Sequence, residues 1–236
     1  GGDIVETALL LQGLLAVRQY FDSSDPVETA IRNGIGNIWK TVEWNWYTNG
    51  KDALYWHWSP DFGWEMNLPV SGWNEGLIVY VLAASSPTYP IDREVYDRGW
   101  ARDGAMANGS KYFNLELPLG PDYGGPLFFA QYSFLGLDPR GLSDSYADYW
   151  KQNVAQTKIN YKYCVENPKG WSGYGRNVWG LTASDIPGGY AASSPTEDYG
   201  TIAPTAALSS FPYTPAESMN ALHYYYYILG DRMFGE

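Results

Sequence analysis

Carboxylates that stand among aromatic side chains are the groups in this sequence best suited to chemistry. Hydrolysis of a glycosidic bond needs one carboxylic acid to protonate the leaving oxygen and a second carboxylate that acts as nucleophile or activates water. Glu75 lies in Gly72-Trp73-Asn74-Glu75-Gly76, where an aromatic loop becomes an apolar helix. Flanking rings would raise its pKa by desolvation, whereas a helix's first turn favours the charged form. Glu75 is therefore predicted to be the general acid, the alternative being a helix cap.

Three further carboxylates are candidates. Glu6 stands near the start of a strongly apolar helix, where a buried charge must be paired or functional. Asp185 and Asp198 belong to a long loop rich in Gly, Ser, Tyr and Trp. Either aspartate could bind sugar hydroxyls, orient a catalytic water or only close a turn. We predict Glu75, Glu6 and Asp185 as catalytic residues and Asp198 as a substrate-binding residue.

Aromatic residues make up 17% of the chain and charged residues 17%, against roughly 25% charged in an ordinary globular protein. Trp and Tyr suit a surface that is apolar on one side and wet on the other, which is how a sugar ring presents its C–H faces and hydroxyl edges. The alternative is that these rings only fill the core. The predicted stacking platforms are Trp44, Trp46, Trp56, Trp58, Trp73, Tyr132, Tyr174 and Trp179.

Composition excludes several other classes of function. A net charge of −11 with only 15 Lys and Arg disfavours nucleic acid as a partner. No apolar run approaches the ~20 residues of a membrane span. With His57 and His223 as the two histidines, a metal site is not predicted. No cofactor is predicted either, because the Gly-rich, nucleophile-elbow and metalloprotease motifs are absent from the sequence.

Helix signals dominate the elements that must position these groups. We predict a helix over residues 3–20, apolar almost all round and so buried among other helices. Asp25-Pro26-Val27-Glu28 opens a second helix that should reach Trp39. A long helix between Ser145 and Glu166, ended by Asn167-Pro168, is predicted from a stripe at helical spacing: Tyr146, Tyr149, Trp150, Val154, Thr157, Tyr161 and Cys164. Its place in this stripe predicts that Cys164 is a core residue rather than a nucleophile. Thr214-Pro215-Ala216-Glu217 opens a final helix with Gly230 as its stop, and shorter helices should begin near Trp73, after Pro90 and over residues 126–134.

The remaining segments are loops and one predicted strand pair. Trp44, Trp46, Trp56 and Trp58 repeat at period two around Asn49-Gly50, which predicts a β-hairpin over residues 42–58. Residues 108–125 and 171–205 are long connections, and such loops are usually functional or disordered. The predicted fold class is all-α, a partial (α/α)6-toroid-type barrel with a small β-hairpin and long aromatic loops.

Several strings together resemble the bacterial glycoamylase-like domain. They are Glu6-Thr7-Ala8-Leu9-Leu10-Leu11, Gly72-Trp73-Asn74-Glu75-Gly76 followed by Ala84-Ser85-Ser86-Pro87-Thr88, Gly125-Pro126-Leu127-Phe128-Phe129-Ala130-Gln131-Tyr132-Ser133, Tyr174-Gly175-Arg176-Asn177-Val178-Trp179-Gly180-Leu181-Thr182-Ala183-Ser184-Asp185 and Asp198-Tyr199-Gly200-Thr201-Ile202-Ala203-Pro204-Thr205-Ala206-Ala207. Members of that family are described as glucoamylases, as endo-β-1,2-glucanases or as a domain of cyclic β-1,2-glucan synthases. The resemblance implies hydrolysis of a neutral glucan, with β-1,2 linkage favoured and α-glucan as the alternative.

The resemblance also bears on the site and the extent of the domain. Glu75 matches an essential glutamate of the family, and Glu6 matches an acidic position near the cleft where Asp is usual. We expect residues 1–236 to be one glycoamylase-like catalytic domain truncated at both ends, so that remaining segments of the same barrel are partners. The second catalytic carboxylate can then lie outside this chain. A periplasmic or secreted location follows from the family alone, and the rival functions are a non-catalytic glucan-binding module and a phosphorylase-like toroid.

Overall fold

The computed structural model describes residues 2–234, with the side chains of Met233 and Phe234 left out. Two compact units account for these residues. The first comprises the residues up to Met106 together with Tyr132–Asp138, and the second comprises Ala107–Gln131 and the residues from Pro139 onward. The expectation of a single domain stays a prediction.

Two capped helices form the start of the first unit. Helix α1 (Ile4–Tyr20) begins where Asp3 Oδ1 accepts hydrogen bonds from the Val5 and Glu6 amides, at 3.0 and 2.9 Å. Helix α2 (Pro26–Thr41) begins in the same way, since Asp25 Oδ1 accepts from Val27 N at 2.8 Å and Pro26 occupies the first turn. Both predicted helices are confirmed, because an N-terminal Asp supplies the acceptor that the first amides lack.

One expectation about α1 is wrong. The helix buries a single face, made by Ile4, Val5, Ala8, Leu11 and Gln12, against α2 and the later helix α3. The opposite face is open: Leu10 is 60% exposed, and Val17 and Tyr20 are exposed as well. Glu6 lies on the exposed side, so its charge needs no buried partner. An almost continuous apolar sequence therefore does not make this helix buried all round.

The rest of the first unit is built around the short apolar helix α3 (Leu77–Ser85), in which six of the nine residues are buried. Helix α4 (Arg93–Val95) continues as a π-helical turn, Tyr96–Trp100, that packs on α3. Short 3-10 turns cover Trp44–Thr48, Arg102–Gly104 and Tyr132–Phe134. The short helices predicted near Trp73 and after Pro90 are thus confirmed.

The hairpin predicted over residues 42–58 is wrong. Trp44–Thr48 forms a 3-10 helix, which ends at Asn49 in the left-handed conformation with φ of 49°. The strand that follows, β2 (His57–Trp58), pairs instead with β1 (Gly2–Asp3) in antiparallel register. A hydrogen bond of 3.1 Å from Trp56 Nε1 to Asp3 Oδ2 holds this pairing. The alternation of tryptophans reflected two different local structures rather than one strand pair.

The second unit contains two small hairpins and one long helix. Strands β3 (Lys111–Tyr112) and β4 (Leu115–Glu116) are joined by Phe113 and Asn114, both with positive φ, as a tight hairpin turn requires. Helix α5 (Tyr149–Glu166) ends at Asn167 in the left-handed conformation, as predicted from Asn167-Pro168. Strands β5 (Ala183–Ile186) and β6 (Gly189–Ala192) form the second hairpin.

Three helices close the second unit. Helix α6 (Pro204–Ser209) packs on α7 (Pro215–His223), and both begin with proline. The Thr214 side chain donates to Ser210 O at 3.2 Å and makes no hydrogen bond that caps α7. Beyond α7 the chain continues through a π-helical segment, Tyr224–Gly230, into α8 (Asp231–Phe234). Gly230 therefore does not stop the helix, and that prediction is wrong.

The buried face of α5 is polar, which the predicted stripe of Tyr, Val and Cys did not anticipate. Gln152, Gln156 and Asn160, four residues apart, bond the backbone of neighbouring loops. Gln152 bonds both the amide and the carbonyl of Leu119, at 2.8 and 3.2 Å, and Asn160 bonds both groups of Leu181. Gln156 Nε2 donates to Gly124 O at 2.7 Å and Pro126 O at 3.1 Å. We call these three side chains the amide ladder.

An apolar cluster lies beside this ladder in the second unit. Its buried members are Leu127, Tyr163, Cys164, Trp179, Leu181, Ala203, Ala206, Ala207 and Ala221. Burial raises the pKa of the Cys164 thiol to about 12. Cys164 is a core residue, as predicted from its place in a helical stripe. No helix among residues 2–234 is both long enough and apolar enough to cross a membrane.

Candidate functional site

Glu75 sits at the end of a loop that is fixed at several points before α3 begins. Gly72 has φ of 75° and donates its amide to Trp100 O at 2.9 Å. Ser71 Oγ donates to Gly99 O at 2.6 Å, and Gly76 N donates to Asn74 Oδ1 at 2.7 Å. A Cβ on Gly76 would lie 2.3 Å from Val70 Cγ1, so only glycine fits directly after Glu75. Local turns and bonds to Gly99 and Trp100 therefore fix where the Glu75 backbone lies.

Ser133 and Gln12 complete this support. The Ser133 hydroxyl donates to Glu75 O at 2.5 Å and accepts from Ile78 N at 3.1 Å, so it caps α3 from outside the helix. Gln12, on the buried face of α1, donates to Tyr132 O at 2.9 Å and accepts from Gly136 N at 3.2 Å. Thus α1 holds the segment that carries Ser133, and Ser133 holds Glu75. The cap is Ser133, so the Glu75 carboxyl is not needed for that purpose.

The two effects that oppose each other at Glu75 are resolved by the structure. The side chain is partly buried, and this burial is the largest influence, which raises the pKa of the Glu75 carboxyl. A hydrogen bond to its own backbone amide lowers the pKa, and the negative charge of Glu6 raises it. Because the net direction is upward, Glu75 holds its proton to higher pH than an exposed glutamate does. That is the property required of a general acid.

A cavity of about 480 Å³ opens in the same unit. It is lined by Gly2, Thr7, Thr41, Val42, Glu43, Trp46, Tyr47 and Trp58. The Trp46 ring is 42% exposed and lies 5.3 Å from Trp58 and 4.8 Å from Trp64, centroid to centroid. Thr7, which follows Glu6 in the sequence, lines this cavity, whereas Glu6 and Glu75 are not among its lining residues. Binding sites for ligands the size of a sugar commonly combine aromatic rings with a few polar groups, and this cavity offers rings, a carboxylate and a hydroxyl.

The predicted stacking platforms divide into two groups. Trp46 and Trp58 line the cavity, Tyr132 is 42% exposed, and Trp56 is partly buried with its Nε1 bonded to Asp3. Tyr174 is also partly buried. Trp44, Trp73 and Trp179 are buried, at 0%, 4% and 0% exposure. A saccharide cannot reach a ring without exposed surface, so these three tryptophans pack in the core and are not platforms.

The two loop aspartates lie in different surroundings within the second unit. Asp185 is on strand β5 and is exposed, paired in register with Tyr190. Asp198 is 5% exposed and accepts from four donors: Trp171 Nε1 at 3.0 Å, Tyr163 Oη at 3.1 Å, Tyr174 Oη at 2.7 Å and Gly200 N at 3.0 Å. Desolvation raises the pKa of Tyr163 and Tyr174, and the Asp198 carboxylate raises it further. Asp198 organises its loop, and its predicted contact with sugar stays a prediction.

Sequence reasoning missed several residues of these sites. Glu43 and Tyr47 line the cavity, and Ser133 and Gln12 position Glu75. Signals for them exist: Glu43 directly precedes the Trp44-Asn45-Trp46 run, and Gln12 interrupts an apolar helix. Across the described part of the chain, no group of three or more His, Cys, Asp or Glu side chains is arranged to hold a metal ion.

Comparison with known proteins gives this geometry a family context. The family model described as "Putative glucoamylase" matches residues 67–236. An exo β-1,2-glucooligosaccharide sophorohydrolase (non-reducing end) of Parabacteroides distasonis is 48% identical over 257 residues, which covers 100% of this chain and 36% of that protein.

Solved structures show the same relationship. A "putative glucoamylase" from Bacteroides uniformis has a TM-score of 0.96 and 55% identity, covering 100% of this chain and 58% of its own. An endo-β-1,2-glucanase from Chitinophaga pinensis, solved with sophorotriose and glucose, has a TM-score of 0.92 and 52% identity, covering 95% and 56%. The likeness confirms the predicted fold class, a partial (α/α)6-type barrel. The chain spans about a third to three fifths of these relatives' lengths and belongs to the bacterial glycoamylase-like family.

Proposed function

We propose that the full-length protein is a glycoside hydrolase that cleaves a neutral β-1,2-linked glucan, with Glu75 as the general acid. The observation that carries the proposal is the partly buried position of Glu75 on a fixed loop, where burial and, to a smaller extent, the charge of Glu6 raise the pKa of its carboxyl. Other chain segments already cap α3, through Ser133, so the Glu75 carboxylic acid is available to protonate a leaving oxygen.

The saccharide is proposed to bind in the cavity lined by Trp46, Trp58 and Glu43. A pyranose ring can stack on an exposed indole face, while the Glu43 carboxylate and Thr7 hydroxyl accept from and donate to its hydroxyls. The printed names of the relatives, a β-1,2-glucooligosaccharide sophorohydrolase and an endo-β-1,2-glucanase, support β-1,2 over α linkages. Asp185 stays a predicted catalytic residue.

We also propose that further segments of the full-length protein pack on the open apolar face of α1. The exposure of Leu10, Val17 and Tyr20 supports this, because a contiguous apolar face in water is costly. The relatives are longer than this chain, which agrees with such segments. The second catalytic carboxylate is proposed to lie either within this chain or in those segments. A periplasmic or secreted location stays a prediction.

Product analysis across linkage-defined glucans tests the proposal, with the full-length protein and its Glu75→Gln variant. We expect release of β-1,2-linked oligosaccharides or glucose by the wild type, and a loss of kcat of about 10²–10⁴-fold in the variant with the fold retained. Asp97→Asn serves as the control, since Asp97 pairs with Arg93 and is not among the residues that line the cavity. Unchanged turnover by the Glu75→Gln variant would refute the role of Glu75.

Two further outcomes identify the rival functions, and a third locates the second carboxylate. Glucan binding without sugar release, even in the full-length protein, would favour a non-catalytic binding module. Turnover that requires inorganic phosphate would favour a phosphorylase-like enzyme. Activity in the full-length protein but not in residues 1–236, given equal folding by circular dichroism, would place the second carboxylate outside this chain.

A further inference from the structure

Trp171 is an exposed tryptophan of the second unit whose backbone is held firmly. It follows the end of α5, and its amide donates to Asn167 Oδ1 at 2.9 Å while Asn167 Nδ2 donates to the Trp171 carbonyl at 2.8 Å. The side chain retains 38% exposure. Residues 171–173 are all exposed, so the ring stands at the solvent edge of its loop.

The indole ring is also held from the side. Its Nε1 donates to Asp198 Oδ2 at 3.0 Å, and Asp198 is itself buried. A Cβ on Gly200, which has φ of 77°, would lie 2.8 Å from the ring atoms Cδ2 and Cε3. The Gly200 backbone therefore packs directly on the six-membered part of the indole. Lys169 Nζ adds a bond of 3.0 Å to Asp198 O, which joins the loop before Trp171 to the loop that carries Asp198.

This arrangement orders an apolar ring without burying it. Fixing an exposed side chain costs conformational entropy, and a ring present only for packing would be expected to lose more of its surface to the core. A ring fixed in advance has little entropy left to lose when a ligand stacks on it, which improves affinity. Exposed Tyr199 and Glu197 lie in the same loop as Asp198, with Tyr199 Oη donating to Glu197 Oε2 at 2.9 Å. They supply hydroxyl and carboxylate groups suited to sugar hydroxyls.

We propose that Trp171 is the stacking platform of a saccharide-binding site in the second unit and that Asp198 is its positioning residue. The ligand class is an uncharged sugar, because the loop combines aromatic rings with a negative side chain in a chain of net charge −11. The identity of the sugar as a β-1,2-glucan rests on the proposed function. The stacking contact itself depends only on the ring and its supports.

The experiment is isothermal titration of the full-length Glu75→Gln protein with sophorotriose, in which hydrolysis is removed and binding is read directly. Adding Trp171→Ala should raise the dissociation constant of the proposed site in the second unit by about tenfold. Trp171→Phe keeps a ring but loses the bond to Asp198 and should give a smaller loss. The matched control is Tyr190→Ala, which removes a 70% exposed ring on β6 and should leave the affinity unchanged.

Tyr174→Phe separates positioning from folding. Tyr174 Oη donates to the other Asp198 oxygen at 2.7 Å, so its loss should weaken sophorotriose binding while circular dichroism shows an intact fold. Affinity unchanged in Trp171→Ala, or reduced equally in Tyr190→Ala, would overturn the proposal, as would a Glu75→Gln parent that binds no glucan. Continued glucan cleavage by that parent would instead contradict the role of Glu75 and leave the Trp171 comparison intact.

Discussion

The two units hold their loops by different means. In the first unit, α3 is almost wholly apolar and buried, and Gly72, Ser71 and Ser133 fix the loop before it. In the second unit, the amide ladder of α5 bonds the backbone of three loop segments from within the core. A buried backbone group must find a partner, and a helix can supply one from its side chains when no neighbouring strand is present. A helix can therefore be essential to the core without being hydrophobic.

The largest effect should follow from breaking the amide ladder. Gln156→Met keeps the side-chain volume but leaves Gly124 O and Pro126 O without their donor, which should cost roughly 2–6 kcal/mol, at about 1–3 kcal/mol for each buried group. Urea unfolding of the full-length protein measures this cost. Lys151→Gln, on the exposed side of α5, is the control and should change stability by no more than about 0.5 kcal/mol. A cost for Gln156→Met as small as the control's would show that the ladder is dispensable.

Replacement of a buried side chain by methionine should be tolerated in the first unit. Leu77 of α3 is 1% exposed, and its side chain has no group that can form a hydrogen bond. Leu77→Met should cost less than about 1.5 kcal/mol, whereas Leu77→Ala leaves a cavity and should cost about 2–5 kcal/mol. Measuring both by urea unfolding sharpens the contrast between the units. If methionine were as damaging at Leu77 as at Gln156, the two cores would not differ in the way described.

Glu75 gives a pH-dependent test within the first unit. Its folded pKa is raised above the unfolded value, so the folded state binds more protons between those two values and loses stability as pH rises through them. Gln carries no such proton. The stability of Glu75→Gln relative to wild type should therefore increase as the pH rises above the ordinary glutamate pKa of about 4. A stability difference that stays constant with pH would show that the Glu75 carboxyl has an ordinary pKa.

The smallest effect should come from Glu6, whose charge raises the pKa of Glu75 by less than burial does. Glu6→Gln removes that charge and should lower the Glu75 pKa, so the alkaline limb of the kcat/KM profile should move to lower pH. High salt should shrink the difference, because Glu6 is exposed. Asp22→Asn, at an exposed position after α1, is the control. An alkaline limb at the same pH in both variants would show that the charge of Glu6 does not raise the pKa of Glu75.

Local signals in the sequence are sufficient to predict where several helices begin and end. Asp25-Pro26 and Asn167-Pro168 specify a helix start and a helix end through their own backbone and side-chain chemistry. The hairpin predicted from the tryptophans at 44 to 58 is wrong because period-two spacing does not reveal that β2 pairs with β1, near the start of the sequence. Burial of Trp179 and exposure of Trp171 likewise depend on contacts far along the chain. Glu75 is predicted from its neighbours in the sequence, whereas Ser133 and Gln12 act across distances that no local pattern reports.

The burial of Cys164 has a practical consequence. The thiolate is the form of cysteine that reacts with alkylating reagents. A thiol with a pKa of about 12 inside an apolar cluster forms almost no thiolate at neutral pH. A cysteine introduced at exposed Ser172 would then be the reactive thiol among residues 2–234. An environment-sensitive fluorophore attached there would report occupancy beside Trp171 without any change to the native thiol.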